Sequence, residues 1–331
     1  MKKIKWGILS TAKIGLQKVI PAMQQSEYCD IVAIASRDAA KAQEAAAKLN
    51  IPLVYSSYED LLLNEEIDAV YIPLPNHMHV PYTELALKYG KHVLCEKPIA
   101  LSAAEAERLA NTKAQYPQLK LAEAFMYRFH PQWKRAKELV KQGAIGEVKT
   151  IQAFFSYYNV DPNNIRNIKE AGGGGLMDIG CYCISQSRYI LDSEPSRVLG
   201  VVEYDSSTHT DRLASGILDF GNATATFTCS TQLNPFQRFH VLGTKGSIEI
   251  EIPVNTPPDA PAKILLHKAG QATEEIVFEA VNQYTLQGDA FSKAIIEGRE
   301  LETDFDDAIN NMKIIEAIVE SNKSGRWVNV I

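Results

Sequence analysis

Cysteine is scarce: Cys29, Cys95, Cys181, Cys183 and Cys229 are the only five in 331 residues. Their number is odd and no Cys-x-x-Cys pair occurs, which argues against a disulfide framework or a paired zinc or redox module and fits a reducing cytosol. Positive charge is not in excess either. The formal net charge is −6, so no field gathers a phosphate backbone or an anionic membrane surface, and nucleic acid is not an expected partner. No apolar run approaches the ~18 residues of a membrane helix. The opening residues up to Leu9 have no small-x-small cleavage site after them and read as a first strand. Internal repeats and low-complexity tracts are absent as well. What is present, 46% hydrophobic and 22% charged residues, is the mix of a globular protein with ample core, and the length predicts two domains.

The first third alternates strand and helix. Ile4 to Leu9, Ile31 to Ala35, Val54 and Tyr55, Ala69 to Leu74 and His92 to Glu96 read as strands. Between and after them lie helical patterns at Ile14 to Gln25, Ala39 to Leu49, Tyr58 to Leu63, Pro81 to Lys88 and Ser102 to Gln115, the last opening on a Ser102/Glu105 capping box. Such βαβ units build a doubly wound parallel sheet. From residue 123 strands instead follow one another: Val148 to Tyr158, Val198 to Tyr204, Leu213 to Phe220, Ala223 to Thr231, Phe239 to Leu242 and Ser247 to Ile252. Helices are expected at Leu176 to Leu191, Tyr284 to Glu297 and Asp306 to Ser321, and the proline-rich stretch 253–262 is a loop. The expected division is an α/β Rossmann domain over 1–122 and an α+β domain over 123–331 with a large, mainly antiparallel open sheet. An uncovered sheet face predicts a homodimer or higher homo-oligomer.

Ligands of doubly wound sheets bind at the carboxyl ends of the strands. After the first strand, Ser10-Thr11-Ala12-Lys13-Ile14-Gly15 fills the slots of G-x-G-x-x-G with serine and alanine for two glycines. A helix N-terminus there offers N–H groups to a pyrophosphate, although a plain strand-to-helix turn accounts for this loop equally well. After the second strand comes Ser36-Arg37-Asp38. Ser36 and Arg37 suit the 2′-phosphate of NADP, whereas Asp38 leaves NAD possible by serving a ribose hydroxyl. The next strand ends carry Leu74, Pro75, Asn76 and His79, then Glu96, Lys97 and Pro98. A lysine in a dry cleft beside an oxidised nicotinamide loses proton affinity and can exchange protons near neutral pH; a capping surface lysine is the bland alternative.

These pieces, joined to Gly172-Gly173-Gly174-Gly175-Leu176-Met177-Asp178-Ile179-Gly180-Cys181-Tyr182, resemble the Gfo/Idh/MocA family (glucose-fructose oxidoreductase, inositol dehydrogenase, rhizopine catabolism). Phe125-Met126-Tyr127-Arg128-Phe129-His130-Pro131 and a tyrosine at position 182 resemble the branch of dimeric dihydrodiol dehydrogenase and xylose dehydrogenase. The resemblance implies a catalytic Lys97 that binds the reacting oxygen, Tyr182 as acid/base with its phenol pKa lowered by the ammonium, and Asp178 one helical turn before it. It implies that Lys97 meets Asp178 and Tyr182 across one cleft. Cofactor contacts are then expected at Ser10, Thr11, Ala12, Lys13, Ile14, Ser36, Arg37, Leu74, Pro75, Asn76, His79, Glu96 and Lys97. Arg128 and Arg166 are candidates to hold substrate or cofactor oxygens, or are structural ion-pair partners. The glycine run lets backbone pass close to the nicotinamide, or is simply a flexible loop. His77, His79, Cys181 and Cys183 lack the spacing of zinc ligands, so no metal is expected.

The expected function is an NADP(H)-dependent, cytoplasmic oxidoreductase acting on a hydroxyl or carbonyl carbon of a sugar, polyol or cyclic diol. Two alternatives stand beside it: a non-catalytic dinucleotide sensor, and a reductase of a non-sugar ring.

Overall fold

A computed structural model describes residues 2–330. Two compact units emerge, one running up to Met126 and joined by Asn282–Ile309, the other formed by Tyr127–Val281 with the chain from Asn310 on. The single boundary read at residue 122 does not anticipate the return of residues 282–309 to the first unit.

The first unit is built on six strands, β1 (Ile4–Leu9), β2 (Cys29–Ala35), β3 (Leu53–Tyr55), β4 (Ala69–Ile72), β5 (His92–Cys95) and β6 (Leu121–Glu123), in the order β3-β2-β1-β4-β5-β6. All pairs are parallel. Every residue of β4, Ala-Val-Tyr-Ile, is buried, as expected of a strand covered on both faces. Side chains cap the helices between strands. Asp38 Oδ1 accepts from Lys41 N at 3.1 Å ahead of Ala39–Leu49, and Ser102 Oγ accepts from Glu105 N at 3.1 Å ahead of Ala103–Ala114. Glu105 reaches back to Leu101 N at 3.0 Å, one residue before the cap.

The helix expected over 14–25 takes another form, a π-helical turn at Gly15–Val19 followed by a short α-helix, Ile20–Met23. Pro21 supplies the reason: it cannot donate to the carbonyl four residues back and its ring crowds that carbonyl, so the wider turn relieves both. The returning helix Gln283–Glu297 covers apolar surface left open on β1 and β2. Trp6 packs at a tilt against Phe291, 5.4 Å between centroids, and donates Nε1–H to Ser292 Oγ at 3.2 Å, and Thr285 Oγ1 donates to Ala22 O at 2.8 Å.

The second unit carries β7 (Val148–Tyr158), β8 (Arg197–Tyr204), β9 (Asp211–Asp219), β10 (Thr224–Ser230), β11 (Gln232–Gly243), β12 (Gly246–Ile250), β13 (Ala262–Lys268), β14 (Glu274–Phe278) and β15 (Val328–Asn329). Their order is β14-β13-β12-β11-β7-β10-β9-β8-β15. Only β7 and β10 pair in parallel, which makes the sheet mixed and mainly antiparallel, as expected. Period-two alternation sorts its faces. The cross-strand row Ile264, Ile250, Phe239, Ala153, Phe227 is buried under helices that include Cys181–Leu191. One residue along, the row Leu265, Glu249, His240, Gln152, Thr226, Ile217, Leu199 forms the opposite, half-exposed face. β13, β14 and the helix Pro131–Lys141 were not anticipated by the hydrophobic pattern; β14 begins Glu-Glu and the helix opens on a proline. The proline-rich stretch is a loop, ending where β13 begins at Ala262.

Candidate active site

In the first unit the expected cofactor residues line the carboxyl ends of adjacent parallel strands, and the strand order reverses direction between β1 and β4, the switch point at which dinucleotides bind. Ser10, in the slot of the first fingerprint glycine, has φ 147°, a region that glycine enters without penalty. Its hydroxyl accepts from Ala12 N at 2.9 Å, closing the turn that leads through Thr11, Lys13 and Ile14 into the helix. That helix start presents N–H groups with no acceptor inside the helix, the ordinary seat of a pyrophosphate.

At the end of β2, Ser36 is buried and its Oγ accepts from Asp38 N at 3.2 Å. Asp38 is committed to the following helix: its carboxylate caps Lys41 N and pairs with Lys41 Nζ at 3.4 Å. The Lys41 N–H bond is the main reason its pKa lies below the usual range. Arg37 stands beside the Tyr58 hydroxyl, whose pKa burial raises against the opposing guanidinium. Tyr58 packs edge-on against Tyr82 at 5.1 Å. An arginine backed by aromatic rings, with the neighbouring carboxylate turned to a helix cap, fits a 2′-phosphate better than a 2′-hydroxyl.

At the ends of β4 and β5, His79 ties two loops together. Its Nε2 lies 2.7 Å from Leu74 O and its Nδ1 2.8 Å from Pro98 O. Burial draws this imidazole down to about 4 against the two carbonyls, which favour its charged form. Between these anchors run Pro75 and Asn76, the latter opening a 3₁₀ turn. Glu96 Oε1 accepts from Tyr71 OH at 2.6 Å and its N–H bonds Ile72 O at 3.1 Å. Half-buried Lys97 follows, its N–H donating to Glu96 Oε2 at 3.3 Å, ahead of a cis peptide to Pro98.

In the second unit the glycine run has a reason unlike the two read from sequence. A Cβ at Gly173 would lie 2.5 Å from Arg166 O, and one at Gly174, where φ is +122°, would lie 1.9 Å from Asp211 Oδ1. The loop is therefore packed against its own chain. It leads into a π-helical turn, Leu176–Gly180, continued by the helix Cys181–Leu191, so Asp178 sits in a wider turn than the α-helical one expected. Asp178 Oδ2 accepts from Arg166 Nε at 2.8 Å and from Tyr157 OH at 2.6 Å. Burial first, then the Asp178 charge, raises the Tyr157 pKa strongly, so this phenol stays a neutral donor. Tyr182 is 5% exposed and lies edge-on to Tyr127 and Phe155, each at 6.2 Å.

Of the two arginines, Arg166 thus meets Asp178. Arg128 is buried elsewhere, donating Nη2–H to Ser185 Oγ at 2.8 Å beside the Tyr127 and Tyr189 rings. Two residues escaped the sequence reading. Tyr157 carried a signal, since strand alternation puts its hydroxyl on the core face with Ile151, Ala153 and Phe155; Asp211, the first residue of its strand, carried none. Among the described residues no group of three His, Cys, Asp or Glu could hold a metal ion, and all five cysteines are free and buried.

Comparison with known proteins agrees with this layout. Residues 4–122 match an oxidoreductase family with an NAD-binding Rossmann fold, and residues 133–249 match the GFO/IDH/MocA C-terminal domain. A D-xylose 1-dehydrogenase (NADP(+)) of Haloferax volcanii is 38% identical over 98% of this chain and 99% of its own length. A trans-1,2-dihydrobenzene-1,2-diol dehydrogenase of Mus musculus is 34% identical over 75% of this chain and 74% of its own. A 3-ketoreductase of Actinomadura kijaniata, solved with NADP and TDP-benzene, superposes with a TM-score of 0.90 at 26% identity over 97% of this chain and 98% of that one. With both halves of the chain matched in order, and with relatives in the dihydrodiol and xylose dehydrogenase branch that the motifs resemble, this protein belongs to the GFO/IDH/MocA family of oxidoreductases.

Proposed function

We propose that the chain is an NADP(H)-dependent oxidoreductase acting on a hydroxyl or carbonyl carbon of a sugar, polyol or cyclic diol. The observation that carries the cofactor choice is Asp38 engaged as a helix cap beside Arg37, and the NADP(+)-dependent xylose dehydrogenase and the NADP-bound ketoreductase support it. Bound NADP supplies the hydride donor or acceptor at the nicotinamide ring. Lys97 stabilises the developing alkoxide, Tyr182 takes the hydroxyl proton during oxidation and returns it during reduction, and Asp178, fixed by Arg166 and Tyr157, orients the substrate. Arg166 acts through Asp178; Arg128 supports the helix that carries Tyr182 from below, through Ser185.

Cofactor contacts fall to Ser10 through Ile14, to Ser36 and Arg37, and to the Leu74–His79 and Glu96–Lys97 loops. The half-exposed sheet face fits a second copy of the chain: Val201 at 66% and Val277 at 62% exposure lie on it, and light scattering at micromolar concentration should give a dimer mass, a monomer mass excluding this arrangement. Five free, buried cysteines fit a reducing compartment such as the cytoplasm.

The deciding experiment records nicotinamide absorbance with NADP⁺ and NAD⁺ in parallel against aldoses, polyols and cyclic diols. Turnover favouring NADP⁺ is expected. Preference for NAD⁺ would overturn the cofactor assignment, and tight NADP binding without turnover of any substrate class would favour a sensor.

A further inference from the structure

We propose that Asp211 is a positioning residue for this reaction: in its ionised form it holds the glycine loop and helix start that present Asp178 and Tyr182. The inference rests on the roles proposed above for those two residues, but its structural half stands on the second unit alone. Asp211 opens β9 and is only 8% exposed. Its Oδ2 accepts from Leu176 N at 2.6 Å, and the Gly175 N–H faces the same carboxylate and favours its charged form. Its Oδ1 fills the space that a side chain at Gly174 would need, at a residue whose φ of +122° is open to glycine.

No cation pairs with Asp211 among the described residues; backbone N–H groups at the start of the helix through Leu191 balance its charge. These are the donors a helix leaves unpaired, at the end where its dipole favours an anion.

The backbone group that meets the carboxylate is a donor, so the clamp needs an acceptor at this place. A carboxylate has acceptor sites on both oxygens, whereas asparagine puts an amide NH2, a donor, in place of one of them. Burial pushes the Asp211 carboxyl up to about 6, and the nearby Asp178 charge adds to the rise. The phenols and the thiol coupled to it do not change charge in that range. Tyr157, Tyr204 and Cys229 are all raised, chiefly by burial, and stay neutral. Arg166 remains cationic on Asp178 and Arg212 on Glu203. A carboxyl raised by burial binds its proton more tightly in the packed loop than in an opened, hydrated one, so acid does not open the clamp, and removing the acceptor is what tests it.

The test compares wild type with Asp211→Asn, which keeps the shape and loses one acceptor oxygen. Amide hydrogen exchange over residues 172–180, corrected for intrinsic rates, is followed from pH 5 to 8, with residues 213–219 as an internal reference. In the wild type the loop should stay protected across this range. In Asp211→Asn exchange there should be at least tenfold faster at every pH and the reference strand unchanged. With whichever substrate turns over, Asp211→Asn should lower kcat roughly 10- to 100-fold and leave the Kd for NADPH unchanged. Loop protection or kcat in Asp211→Asn equal to wild type overturns the proposal. If the variant does not fold, a Leu176 amide that exchanges at its intrinsic rate in the wild type does so. Absence of turnover in wild type counts against the oxidoreductase reading and leaves the exchange result to decide on Asp211.

Discussion

Tyr157 and Arg166 fix Asp178, and Tyr71 fixes Glu96 ahead of Lys97, so on the proposed roles Asp178 spends little rotamer freedom at the moment of reaction. Lys97→Met should accordingly leave NADPH affinity, read by fluorescence titration, within about twofold of wild type and cut kcat by a factor on the order of 10³ or more; near-normal turnover would refute its role. At this scale much was legible. Glu96-Lys97-Pro98 and the Asp178/Tyr182 pair stand in contiguous motifs, and the choice of Arg37 over Asp38 followed from charge. Asp211 and the Arg166–Asp178 pair were not legible, because each joins residues distant in sequence through a loop whose course depends on the folded sheet.

Elements were legible where one local rule governed them and were missed where several competed. Most strands of the first unit are short, largely apolar runs, and three of its helices, those starting at Ala39, Tyr58 and Ala103, open on aspartate or serine caps, so pattern locates them; β6, Leu121–Glu123, was missed. The turns at Gly15–Val19 and Leu176–Gly180 are π-helical, and periodicity of 3.6 does not announce a wider turn; both lead out of candidate binding loops, where such turns are frequent. β14, with two leading glutamates, depends on pairing with β13 and not on a hydrophobic pattern of its own. The helix Gln283–Glu297 was found, but its destination was not, since an amphipathic face does not say which surface it covers. That destination makes a prediction. Phe291 is 3% exposed against Trp6, so Phe291→Ala should destabilise the first unit by about 3–5 kcal/mol in urea unfolding monitored at Trp6; a cost below about 1 kcal/mol would mean the helix is not part of that core.

For the whole molecule, pH acts through histidines that the fold needs neutral. His92 Nδ1 accepts from Lys120 N at 2.8 Å, and His130 Nδ1 accepts from Gln132 N at 3.2 Å at the start of its helix. Burial lowers both to about 4 from an ordinary 6.5. The unfolded chain therefore binds these protons first, and stability is lost as pH falls from about 6.5 toward 4. Asp211, raised from 3.8 to about 6, works in the opposite direction between those values, but one carboxyl opposes three imidazoles, since buried His79 is lowered to about 4 as well. Urea midpoints measured at pH 7.5 and 4.5 should fall by the equivalent of a few kcal/mol; a midpoint that holds or rises on acidification would show that these imidazoles are not held neutral. The return of residues 282–309 to the first unit also sets an order of events during synthesis. At roughly 5–20 residues per second of translation, the helix that covers Trp6 is made about 8–32 s after the last strand of that sheet, β6. Through that interval the nascent Rossmann sheet is complete in its strands and bare on one apolar flank, a natural client for a chaperone, and a message truncated before the last helices would release a chain that aggregates where a working nucleotide-binding domain could otherwise have formed.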